Sequence, residues 1–287
     1  MKKRILAALL AALFLLSACA PAASEDDGKL HVVATTYPVY LFATALTEGV
    51  EDVEVTLMVK EPTSCLHDYT LTVSDMKVLA GADVVLMNGA GLEDFMADAL
   101  AQSDAKIIDC SEGIDLLLSE EHEGHDGHDH DEEYDPHYWL DPRRAAKMVD
   151  NMAVGLGVNN TVSDALEEGV KPLAARLGTE ELITFHDGFR YFADFLGLDI
   201  LKAIEEEAGS EASAKEIIEV TALIKEHGLP AIFTEKNGSE ATAKAVQRET
   251  GVDIYQLDMI MSGDGKGIQP YLDAMNANIN TVLEALG

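Results

Sequence analysis

The chain reads as an α/β protein of two lobes, each a mostly parallel sheet flanked by helices, joined by a helical linker. Three observations predict this. Short runs rich in Val and Ile alternate with segments of helical periodicity. The same alternation returns in the second half. Between the halves lies a long stretch with no strand pattern, from Pro142 to Gly178. Strand–helix alternation places parallel strands in sheets covered on both faces. A length of 287 residues suits one large or two modest domains.

In the first lobe, strands are expected at His31–Thr35, Val53–Val59, Asp83–Asn88 and Lys106–Asp109. Helices are expected at Pro38–Leu46, Val73–Ala80 and Leu92–Leu100. The linker reads as Arg144–Leu156 and Ser163–Leu177, broken by a turn at Val158-Asn159-Asn160-Thr161. In the second lobe, strands are expected at Glu181–Phe185, Ile200–Ile204, Ala231–Thr234 and Asp253–Gln256. Helices follow at Phe189–Leu196, Ala214–His227, Ser239–Thr250 and Gln269–Leu286.

The first residues form an address. Lys2, Lys3 and Arg4 precede an apolar run from Ile5 to Leu16, too short for a permanent membrane span. Leu16-Ser17-Ala18-Cys19 follows and resembles the lipobox of bacterial lipoproteins, in which the cysteine is lipidated. Residues 1–19 are therefore read as a lipoprotein signal peptide and 20–29 as a flexible tether. The first lobe then runs from 30 to 141, the linker from 142 to 178 and the second lobe from 179 to 287. The expected location is the extracytoplasmic face of a bacterial membrane, with a lipid anchor on Cys19. Two cysteines remain, Cys65 and Cys110, an even number that permits one disulfide and equally two separate buried thiols.

The formal net charge is −32, from 20 Lys+Arg against 52 Asp+Glu. A surface of that sign repels phosphates, which argues against nucleic-acid partners. It suits a protein that meets cations, and equally one kept soluble by charge. Residues 120–135 read EEHEGHDGHDHDEEYD, without an aliphatic residue. Such a segment cannot build a core and reads as a loop. Its His122, His125, His128 and His130 suit transient collection of metal ions rather than one defined site.

Of the nine histidines, His31 and His227 have structural readings, at a strand start and a helix end. Three others stand in polar or turn-like settings next to apolar elements. His67 follows the second strand, His137 precedes the linker helix, and His186 closes a strand. Asp258 closes another. Ligands of open α/β sheets bind beyond the carboxyl ends of strands, so these four can converge in a cleft between lobes. Spacing alone leaves open whether they are ligands or merely satisfied polar residues.

At these residues the sequence resembles the metal-binding lipoproteins that serve ABC importers, in particular the zinc-uptake group. The matching strings are Pro62–Tyr69, Leu79-Ala80-Gly81-Ala82-Asp83, Asn88-Gly89-Ala90-Gly91-Leu92-Glu93, Asp135–Pro142, Thr184–Phe189 and Ile232-Phe233-Thr234-Glu235, with Tyr271, Met275 and Asn278 near the end. The resemblance covers essentially the whole chain after the signal. It implies one metal in the interlobe cleft, with His67 and His137 as ligands from the first lobe and His186 and Asp258 from the second. Glu235 is implied as a neighbour of the site or, less favoured, a ligand. Histidine at the third position favours Zn²⁺, whereas some Mn²⁺ carriers have a carboxylate there. The interval from His137 to His186 is shorter than usual for this group, so its rigid helical spine is expected to be truncated or broken.

Three imidazoles and a carboxylate suit tetrahedral zinc, whereas calcium and magnesium prefer oxygen shells. Cu²⁺ and Ni²⁺ are compatible with the same donors. A closed shell leaves no place for an activated water, which argues for carriage rather than catalysis. The expected function is to capture Zn²⁺ outside the membrane, close around it, and deliver it to the permease of an ABC importer, the protein acting as a monomer. The competing readings are a metal-dependent surface adhesin or scaffold, and a zinc hydrolase with Glu235 as its base. No HExxH or GxSxG string supports the hydrolase.

Overall fold

The computed structural model describes residues 27–60, 66, 69–119, 134–172, 177–205, 212–238 and 240–287. The expected signal peptide, Cys19, Cys65, His67, His122, His125, His128 and His130 lie outside the described residues.

Two four-stranded parallel sheets carry the fold. The first holds β1 (Leu30–Ala34), β2 (Val53–Leu57), β3 (Val84–Met87) and β4 (Lys106–Asp109), in the order β2-β1-β3-β4. The second holds β5 (Glu181–His186), β6 (Asp199–Glu205), β7 (Ala231–Glu235) and β8 (Asp253–Leu257), in the order β6-β5-β7-β8. The two sheets therefore repeat one topology. In each, the chain steps from the middle strand to one side, then crosses to the other. That reversal opens a crevice at the strands' carboxyl ends, between β1 and β3 and between β5 and β7.

The first lobe's helices are α1 (Tyr37–Leu46), α2 (Val73–Ala80) and the short α3 (Ala97–Leu100), which continues a 3-10 turn at Asp94–Met96. The continuous helix expected over Leu92–Leu100 is thus two short pieces. Thr72 and Asp75 form a reciprocal capping box that starts α2. The linker is α4 (Pro142–Leu156) and α5 (Ser163–Gly169). Asp141 caps α4 by accepting from Arg143 N, and Gly157 ends it in the left-handed conformation (φ 71°). α5 stops at Gly169, well short of the expected Leu177; Pro172 follows, and the residue before a proline is biased away from the helical region.

The second lobe adds α6 (Arg190–Leu196), α7 (Ala214–His227), α8 (Ala241–Thr250) and α9 (Gln269–Leu286). One continuous hydrophobic core runs from Val32, Phe42 and Leu86 of the first lobe through Trp139 and Met152 to Phe189, Phe233 and Tyr271 of the second. A smaller cluster under α7 and α8 contains Ile183, Val220 and Val246. The lobes therefore meet through buried apolar side chains. Among the described residues no helix is long and apolar enough to cross a membrane.

Candidate metal centre

His186 is the last residue of β5 and Glu235 the last of β7. The two strands pair in parallel with Thr184 opposite Phe233. Counted two residues on from that pair, the strand ends His186 and Glu235 fall level on neighbouring strands, at the second sheet's crevice. His137 reaches the same place from the other lobe, on the turn that leads into α4. The two imidazoles are almost fully buried, and their Nε2 atoms lie 3.4 Å apart.

That spacing has a direct chemical reading. Two nitrogens each about 2.0–2.1 Å from a tetrahedral zinc lie about 3.3–3.4 Å from one another. The His137 ring is already oriented for this role. Its Nδ1 is 2.7 Å from Asp135 Oδ1, which also accepts the His137 backbone N–H at 2.9 Å. A carboxylate on Nδ1 fixes the tautomer that turns the Nε2 lone pair toward His186. Asp135 thus orients the His137 ring, a contact the sequence reading did not identify. Its signal was the Asp-Pro-His spacing, which brings a carboxylate back onto the ring two residues on.

Buried polar atoms without partners lie at the ends of the same two strands, β5 and β7. His186 Nδ1 and both carboxylate oxygens of Glu235 have no hydrogen-bond partner among the described residues. A buried carboxylate without donors is costly unless a cation completes it. Glu235 is 1 % exposed and curls beneath Gly238, where a side chain would collide with its Oε1. Gly188 is a second close approach, since an added Cβ would come within 2.5 Å of Met259 Cε and 2.8 Å of His186 Cδ2. Met259 and Trp139 wall the imidazoles: Trp139 Nε1 donates to Met259 O at 2.9 Å, and its ring centroid lies 5.3 Å from that of His137.

Asp258 follows β8, but its carboxylate is engaged. Oδ1 accepts from Ile260 N at 2.7 Å and Oδ2 accepts from Lys236 Nζ at 3.1 Å. Among the described residues the structure gathers no three His, Cys, Asp or Glu side chains into a metal-holding group; what it brings together is the His137–His186 pair. Cys110 is a buried free thiol, and burial pushes its pKa well up. The ends of the acidic loop are held: Leu118 and Tyr134 form an antiparallel bridge. Tyr191 of α6 spans them, its hydroxyl accepting from Leu117 N and donating to Asp135 O, both at 2.8 Å.

Two lobes of one parallel topology bring an imidazole from each together in the interior. Residues 32–285 match the zinc-uptake complex component A family, ZnuA, described as periplasmic, and the chain belongs to that family. It is 29% identical over 311 residues to the zinc-binding lipoprotein AdcA of Streptococcus pneumoniae, across 98% of this chain and 60% of that protein. The chain thus spans about three fifths of the streptococcal relatives' length. It is 28% identical over 241 residues to the manganese-binding lipoprotein MntA of Halalkalibacterium halodurans, across 77% of each chain. A crystal structure of ZnuA superposes with a TM-score of 0.73 at 23% identity, covering 90% of this chain and all of that one, which shows the shared fold.

Proposed function

We propose that this protein is a lipid-anchored, extracytoplasmic receptor that captures one Zn²⁺ between its lobes and hands it to the permease of an ABC importer. The observation that carries the reading is the buried pair His137 and His186, with facing Nε2 atoms 3.4 Å apart. His67 is assigned as the third imidazole. The carboxylate is assigned to Glu235, whose oxygens are buried and unpartnered among the described residues. Asp258 would have to give up Lys236 and Ile260 to join. Imidazole at the His186 position supports zinc over manganese, and the relatives include both zinc-binding and manganese-binding lipoproteins. The signal-like N-terminus and the relatives' description as lipoproteins support the anchor on Cys19.

The chemistry is that of a carrier. Neutral imidazoles and a carboxylate replace the hydration shell of the ion, and apolar walls from Trp139 and Met259 keep water out. The domain bounds are assigned as 30–141 for the first lobe, 142–178 for the linker and 179–287 for the second lobe, a division that the two separate sheets support. The loop histidines His122, His125, His128 and His130 are assigned the collection of zinc near the cleft. The test is zinc affinity of wild type, His137→Ala, His186→Ala, Glu235→Gln and Asp258→Asn by competition with a chromogenic chelator. The first three substitutions are expected to weaken binding sharply, and Asp258→Asn far less. Wild-type affinity in His186→Ala would overturn the assignment.

A further inference from the structure

Glu93 is a buried carboxylate in the first sheet's crevice, between β1 and β3, the counterpart of the place His186 and Glu235 occupy in the second sheet. It is 1 % exposed. It accepts from Thr35 Oγ1 at 2.6 Å, Asn88 N at 2.8 Å and Gly89 N at 3.0 Å. These bonds lock the turn that follows β3, in which Gly89 has φ 81° and packs so closely on Asp109 that no side chain fits.

The locked turn presents Asn88. Its Nδ2 donates to Gly89 O and to Pro136 O, both at 3.0 Å. Two carbonyls can be faced only by the amide nitrogen, so the orientation of the amide follows from its partners. The Tyr138 hydroxyl donates back to Asn88 O. The residues immediately before and after His137 are therefore both tied to Asn88. Asn88 Oδ1 is buried and has no partner among the described residues. An apolar residue would avoid that cost, so the amide is present for what its nitrogen holds.

We propose that Asn88, gripped by Glu93, is a positioning residue for metal binding, fixing the Pro136–Tyr138 backbone so that His137 Nε2 stands ready opposite His186. This rests on the reading that His137 and His186 hold the ion. The first lobe thus uses its crevice to clamp the segment that bears a ligand, while the second lobe places its ligand there directly.

The experiment compares wild type, Asn88→Ala, Tyr138→Phe, His137→Ala and the double variant Asn88→Ala/His137→Ala. It measures Zn²⁺ affinity, the visible spectrum of bound Co²⁺, and urea unfolding of the metal-free proteins. Asn88→Ala and Tyr138→Phe are each expected to weaken zinc binding about 10- to 100-fold, the usual cost of losing a support behind a ligand, and to alter the cobalt bands. In the His137→Ala background, Asn88→Ala is expected to cost nothing further. An equal loss in both backgrounds, or unchanged affinity and cobalt bands, would overturn the proposal. Should Asn88→Ala unfold, Tyr138→Phe, which keeps the ring and its packing, decides alone. A wild type whose zinc affinity is untouched by His137→Ala would refute the reading of the site, and the positioning role would fall with it.

Discussion

At the scale of the residue, the proposed centre includes buried polar atoms without partners among the described residues, His186 Nδ1 and both carboxylate oxygens of Glu235. His186→Ala should lower zinc affinity by more than the roughly 100-fold ceiling typical of supporting residues. It should leave the metal-free fold intact, because β5 and its neighbours keep their backbone pairing. Asp135→Asn keeps the shape but replaces the carboxylate on His137 Nδ1, and should cost about 10- to 100-fold in the same titration. Glu93 yields a separate prediction for pH. Burial lifts its pKa to about 7, against the opposing hydrogen bonds from Thr35, Gly89 and Asn88, with the nearby Asp109 charge raising it further. The folded protein therefore holds a proton that the unfolded chain releases near its ordinary value of 4.5. Stability of the metal-free protein should fall as pH rises from about 4.5 to about 7, then level off, by at most about 3 kcal/mol. Urea unfolding at several pH values checks this, and Glu93→Gln should flatten the slope. His137 and His186 were legible as strand-end or turn histidines. The states of Glu235 and Asp258 were not, because both are carboxylates at strand ends and only packing shows that one has a lysine partner.

At the scale of the element, the linker helix is anchored by Asp141. It is fully buried, caps α4, and grips Arg143 Nη2 at 2.7 Å and Arg144 Nη1 at 2.6 Å. Arg144 Nη1 also reaches Asp194 Oδ2 of α6 at 2.7 Å, so one cluster ties the linker to the second lobe. Asp141→Ala removes the cap and one of the two carboxylate partners of the half-buried Arg144, and should destabilise by about 1–2 kcal/mol in urea unfolding. Asp141→Asn, which keeps a capping oxygen, should cost less. Strands and most helices were legible because periodicity and caps agreed: Ser213 with Glu216 starts α7, and Gly228 ends it in the left-handed conformation. The missed ends lie where local signals compete. Over Leu92–Leu100, Glu93 is pulled inward by three donors, and the regular helix begins only at Ala97. Beyond Gly169, neither the glycine nor the coming proline supports another turn.

At the scale of the whole molecule, both sheets share one strand order, yet the two crevices hold different side chains, a hydrogen-bonded Glu93 in the first and the strand ends His186 and Glu235 in the second. That division was not legible from the alternating pattern, which is the same in both lobes. A core that continues from one lobe to the other makes the interface apolar, and large apolar interfaces restrain domain motion. Metal binding should therefore raise the melting temperature while changing the radius of gyration little. At a free zinc concentration about 100 times the dissociation constant, the gain is about 2.7 kcal/mol. Calorimetry and solution scattering with and without zinc check both halves of this statement. A large compaction would show that the shared core opens in the empty protein.

The central claim is a single zinc held by the cleft rather than by the acidic loop. Leu118 and Tyr134 already pair across the ends of that loop, so residues 120–133 can be replaced by a short turn without moving Asp135. The decisive measurement is a competitive titration of Zn²⁺ against Mn²⁺ on the intact chain and on this shortened one. One tight zinc equivalent, preferred over manganese and retained without the loop, is the predicted result. Tight binding that vanishes with the loop, or a clear preference for manganese, would contradict it.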